Sequence, residues 1–185
     1  MPEDRQHHGC LSSRAHAREY PLEAEAWSDL AVGVAGAGAA LTGLLFVAVS
    51  INLERILSLP RVPARAGQAL VLLATPVFAA IAVLTPGQPE WSLGVELIVL
   101  AVAVGVTLLA LIGWGHRTAQ QPLWSWLLNA VAASLVLSLG LLLAGISLVA
   151  DAPGLGGLYW VPLATTLAWL GGLFNAWVLL VEINR

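Results

Sequence analysis

The run from Leu30 to Ile51 contains no ionisable residue, and this feature constrains the chain more than any other. It exceeds the roughly 20 apolar residues that a helix needs to cross the hydrocarbon core of a bilayer. Trp27 and Asp29 flank it on one side, and Asn52, Glu54 and Arg55 on the other. A helix suits such a run in lipid because it satisfies every backbone N–H and C=O within the segment.

Four further apolar runs repeat the pattern. Spans are expected over about 28–53, 66–85, 91–114, 123–150 and 158–182, after a mobile polar tail at 1–26. Hydrophobic residues make up 58% of the chain and charged residues 10%, with a mean hydropathy of +0.83. A water-soluble domain of this size does not sustain that balance. The expected fold class is an all-α membrane protein, a compact bundle of five transmembrane helices. Trp27, Trp91, Trp114, Trp124, Tyr159 and Trp160 all fall at run ends, where amphipathic rings favour the headgroup region. Pro76 should kink the second span, with Thr75 helping to satisfy the carbonyl it frees.

Arginine placement gives the orientation. Five crossings put the tail, the 85–90 turn and the 151–157 turn on one side, where only Arg14 and Arg18 lie near the membrane. The opposite side holds Arg55, Arg61, Arg65, Arg117 and Arg185. The positive-inside rule then places the N-terminus outside and the C-terminus inside. All eight basic residues are Arg, and Ala, Leu, Gly and Val dominate, as expected of a GC-rich bacterial genome. The expected location is the bacterial cytoplasmic membrane.

Chemistry is scarce. No apolar segment precedes a small-residue cleavage site, so no cleavable signal peptide is expected. His7, His8, Cys10 and His16 match no standard zinc spacing, and one cysteine excludes an intramolecular disulfide. The thinly spread arginines form no footprint for nucleic acid. No nucleophile has a base within reach. Neither a cofactor nor an enzymatic activity is expected.

Helical spacing puts Ala35, Gly36, Ala39, Gly43, Phe46, Ser50 and Glu54 on one face of the first span. The fifth span carries Ala168, Gly171, Gly172, Asn175 and Glu182 within a similar arc. Small residues let helix backbones approach in lipid, so Ala35, Ala39, Gly43, Ala168, Gly171 and Gly172 are the expected packing positions, and the two stripes are expected to meet, within the bundle or across an oligomer. The other spans carry fainter stripes: Gln68, Thr75, Ala79 and Ala82; Glu96, Ala103, Thr107 and Ala110; Asn129, Ala133, Gly140, Ala144 and Ser147.

Counting ~1.5 Å of rise per residue from the nearest aromatic anchor places Asn129 and Asn175 in the inner third of the core. Glu54 and Glu182 lie just below them, with Arg55, Arg117 and Arg185 at heights that allow pairing. This is one candidate polar cluster. Glu96 stands apart, roughly 7 Å inside the outer boundary marked by Trp91. An intramembrane carboxylate is a functional-site candidate, and Thr165 at similar depth is its candidate hydrogen-bond partner. The simpler reading is that Glu96 reaches the interface, that the helix-end acids are solvated pairs, and that the Asn residues bond between helices.

The stretch Ala39-Ala40-Leu41-Thr42-Gly43-Leu44-Leu45-Phe46-Val47-Ala48-Val49-Ser50-Ile51-Asn52-Leu53 resembles the first span of a group of small bacterial integral membrane proteins. The closing Ala176-Trp177-Val178-Leu179-Leu180-Val181-Glu182-Ile183 is similar to that group's last span. The group has no established activity, so the resemblance implies a fold and assigns no residue a role. The expected function is non-enzymatic: an assembly or accessory component, with the lipid bilayer, further copies of itself or another membrane protein as partners. The alternative is a small oligomeric channel or transporter using Glu96 and the inner Asn/Glu cluster.

Overall fold

The computed structural model describes residues 27–60, 62–114 and 132–183. Among these, six α-helices are formed: α1 Ser28–Ile51, α2 Leu53–Ser58, α3 Val62–Leu84, α4 Glu90–Trp114, α5 Ala132–Val149 and α6 Trp160–Ile183. Two short 3-10 turns, Pro153–Leu155 and Gly157–Tyr159, lead into α6. Five of the helices are long and apolar enough to cross a membrane, with mean hydropathies between 1.6 and 2.8 in their best windows. The molecule is an all-α bundle, and its composition and helix lengths are those of a multi-pass membrane protein.

The helix ends follow from local chemistry. Asp29 sits in the first turn of α1, where its charge meets the positive end of the helix dipole. The helix stops at Asn52, whose backbone leaves the helical region and whose Nδ2 donates to the Ala48 carbonyl at 2.9 Å. The stretch after it holds the short helix α2. Pro63 stands in the first turn of α3, where its missing N–H is no loss. Helix α3 therefore begins earlier than the expected span.

Pro76 lies inside α3 and frees the carbonyl of Leu72. Thr75 does not serve that carbonyl. Its Oγ1 donates to Val71 at 2.7 Å, because a helical Thr hydroxyl reaches back to the residue four earlier.

Helices α3, α4, α5 and α6 form a ring, each packed on its two neighbours, and α1 lies outside the ring against α3. Close approaches fix an alternating up-and-down order. Gly67 of α3 faces Leu111 of α4, Gly94 of α4 faces Gly145 of α5, and Gly171 of α6 meets Ala133 of α5 and Leu72 of α3. A Cβ on Gly145 would lie 2.6 Å from the Gly94 carbonyl oxygen, so the α4–α5 contact requires glycine. The ring core includes Leu72, Leu93, Leu97, Leu108, Leu137, Leu141, Ala144 and Ala168. A second cluster joins Leu45 of α1 and Ile56 of α2 to Val62, Ala66, Ala69 and Leu73 of α3 and Leu179 of α6.

The outer surface is apolar. Leu44, Phe46, Ile51, Phe78, Val106 and Trp177 are among the large side chains that face outward. In water such a belt would be an aggregation surface; in hydrocarbon it is the expected exterior.

Candidate functional site

Among the described residues, no hydrogen bond or ion pair joins Glu54, Arg55 and Asn175 of the expected inner-end cluster. Glu54 and Arg55 are exposed on α2, whereas Asn175 is buried on α6. Asn129 and Arg117 lie outside the described residues, as does Arg185, and Glu182 belongs to the last turn of α6. Glu54 is exposed because α2 presents only Ile56 to the core.

Glu96 and Thr165 are not brought together. The buried side of α4 is Leu93, Leu97, Ala101, Val104 and Leu108, a repeat of three to four residues. Glu96 falls on the opposite side with Val95, Val99, Ala103, Thr107 and Ala110, all exposed. Thr165 is 4% exposed on α6, which packs on α3 and α5 and not on α4. The small and polar stripe of α4 therefore faces away from the bundle.

Helices α1 and α6 both pack chiefly on α3, and most of the α1 stripe is exposed. Ala168 and Gly172 are buried and Gly171 is half-buried, where they meet α3 and α5. On α1 the inward positions are Ala31, Gly38 and Leu45, with Ala35 half-buried beside them. Ala39 and Gly43 are exposed, and a Cβ built on Gly43 or Gly36 meets nothing within 4 Å. The packing face of α1 is thus rotated from the expected stripe. Gly38 is the true close approach, where a Cβ would lie 2.7 Å from Val77 and 3.3 Å from Trp169.

At the tail-side end, α1, α3 and α6 form a small half-open groove, lined by Trp27, Val34, Pro76, Val83, Pro162 and Thr165 among others. Trp27 and Tyr159 meet edge to face beside it, with ring centroids 4.9 Å apart and planes at 86°. Nearby, Ser147 ties the loop before α6. Its Oγ donates to the Ala152 carbonyl at 3.0 Å and accepts from the Gly157 N–H at 3.1 Å. Positive φ at Gly156 (91°) and Gly157 (50°) is needed there and is a conformation glycine adopts freely. The groove went unforeseen because its walls come from three helices far apart in sequence; Trp27 gave only an interface signal.

Among the described residues no group of three or more His, Cys, Asp or Glu is placed to hold a metal ion. Three buried polar atoms there lack a hydrogen-bond partner: Thr42 Oγ1, Ser138 Oγ and Trp169 Nε1. Comparison with protein-family models, with curated proteins and with solved structures finds no match.

Proposed function

We propose that the chain is a non-enzymatic component of a membrane assembly and that α1 is the helix through which it docks on a second copy of itself. The observation that carries this reading is the unpartnered side of α1. Gly36, Ala40 and Gly43 share one outward face with Ala39 and Gly33 beside it, all exposed, and the three glycines have open space around them. Each glycine in a helix interior costs roughly 1 kcal/mol relative to alanine. A close helix–helix contact in lipid offsets that cost, because small residues let two backbones approach and gain van der Waals packing. The apolar surround supports a partner that is itself a membrane helix.

The arginine distribution supports a tail-out, C-terminus-in topology, and the composition supports a bacterial cytoplasmic membrane. The transport alternative draws no support from Glu96, which lies on the outer side of α4, or from Glu54, which is exposed.

Native mass measurement of the full chain from lipid nanodiscs tests the proposal. Wild type is expected to be oligomeric, and Gly36→Leu and Gly43→Leu are each expected to weaken association about tenfold or more, or ~1.4 kcal/mol. Their thermal stability should not fall, since neither added side chain meets a neighbour. A wild type that is monomeric at every protein-to-lipid ratio sinks the reading.

A further inference from the structure

Helix α1 is longer than the hydrocarbon core of a bilayer is thick. Its 24 residues rise about 36 Å at ~1.5 Å each, against ~30 Å of hydrocarbon. With Trp27 in the headgroup region of one leaflet, where amphipathic rings sit, the end of α1 and the start of α2 fall in the headgroup region of the other. There the chain leaves the helix at Asn52, and Ser50, Ile51, Asn52, Leu53, Glu54 and Arg55 line an open depression.

Two opposite charges line this depression, and neither is neutralised. Glu54 and Arg55 are exposed, and among the described residues no ion pair or side-chain hydrogen bond engages either. They serve each other poorly, because consecutive residues of a helix point about 100° apart and do not face one another. Asn52 commits one N–H to the Ala48 carbonyl, which leaves its other N–H and its side-chain oxygen uncommitted. Ser50 donates to the Phe46 carbonyl and keeps its lone pairs.

The surface beside the depression is apolar. Val47 and Ile51, one turn apart on α1, are both exposed and point into lipid. A simple anion would satisfy Arg55 and be repelled by Glu54, and a simple cation would do the reverse. A ligand that carries both charges a short link apart, below an apolar tail, meets every group in the depression.

We infer that the depression at the α1–α2 junction binds the headgroup of a phospholipid of the phosphoethanolamine type. Arg55 takes the phosphate, Glu54 the primary ammonium and Asn52 the ester oxygens, while Val47 and Ile51 carry the acyl chains. A guanidinium matches a phosphate in charge and donor geometry. A carboxylate accepts the N–H bonds that a primary ammonium offers and a quaternary one lacks. The site lies within one chain, ~12 Å along the helix from Gly43, so it does not rest on the docking reading of α1.

Native mass spectrometry of the full chain, released from nanodiscs of equimolar phosphatidylethanolamine, phosphatidylcholine and phosphatidylglycerol, tests the assignment. Wild type should retain the ethanolamine lipid about tenfold over either of the others. Glu54→Gln should lose that preference, since the ammonium then has no carboxylate to meet. Arg55→Gln should retain about tenfold less of all three lipids. Both side chains are exposed, so the unfolding midpoints should match wild type. Soluble phosphoethanolamine carries the same charged groups without the chains, and at millimolar concentration it should not displace the lipid. Displacement would give the site to a soluble phosphate ester and overturn the lipid as its occupant. Equal retention of the three lipids by wild type, which needs no variant to measure, or an unchanged preference in both variants, also overturns the proposal.

Discussion

Helices α1 and α3 have the same mean hydropathy, 2.1, and nearly the same length, yet 11% of the best window of α1 is buried against 56% of that of α3. Hydropathy fixed that both belong in a membrane and said nothing about which would be central. The difference lies in neighbours. Helix α3 touches α1, α4 and α6 and buries residues on almost every side, from Val62 to Val83. Helix α1 packs chiefly on α3, with Trp169 of α6 reaching it beside Gly38, and turns Leu30, Val32, Leu44, Phe46, Val47 and Ile51 outward. In lipid an outward leucine costs nothing, because tails are as apolar as the side chain. Burial is therefore decided by shape and by the need to shelter polar groups, and α3 is the helix with Gln68, Thr75 and a proline.

The comparison is broken most forcefully at the hub. A Cβ on Gly172 would lie 2.9 Å from Leu73 Cδ2 and 3.4 Å from Leu72 Cβ, so Gly172→Leu forces α6 off α3. A stability loss of about 3 kcal/mol, or failure to fold, is expected from such overpacking, read as the unfolding midpoint in detergent. A variant as stable as wild type would show that α3 is not the central helix.

A smaller effect is expected on α1, and it sharpens the contrast within a single helix. Gly38→Leu collides with Val77 and the Trp169 ring, whereas Gly43→Leu enters open space. Both obstacles are side chains that can shift, so Gly38→Leu should cost about 1–2 kcal/mol. It should also detach α1 while the ring persists, which limited proteolysis after α1 detects. Gly43→Leu should leave the same digestion pattern as wild type. If the two variants behave alike, the inward face of α1 has been assigned wrongly.

The same contrast explains what was legible in the sequence. Five membrane-length helices follow from runs of apolar residues, and the small or polar stripes of α3, α5 and α6 are indeed buried: Gln68, Thr75 and Ala79; Gly140, Ala144 and Ser147; Ala168 and Asn175. The stripes of α1 and α4 point outward. On α1, glycines at 33, 36, 38 and 43 are distributed around the helix, so spacing alone selects no face. On α4 the buried face consists mostly of larger residues, Leu93, Leu97, Val104 and Leu108, and the rule that small residues pack inward fails there. Water supplies an amphipathic signal for soluble helices; lipid supplies none, and only the neighbours decide.

Glu96 gives the smallest expected effect and the finest test of the outward faces. It stands six residues after Glu90, about 9 Å along α4, exposed among valines. No described side chain pairs with it. Glu96→Gln should therefore change stability by less than about 0.5 kcal/mol, as surface substitutions usually do, and should leave ion flux in liposomes at the same background level as wild type. The informative failure is a specific one. A loss of oligomer in Glu96→Gln with the unfolding midpoint intact would mean that the carboxylate meets a hydrogen-bond partner on another chain. The outward stripe of α4, with Ala103, Thr107 and Ala110, would then join that of α1 as a second docking face, and the two least-buried helices of the bundle would be its points of assembly.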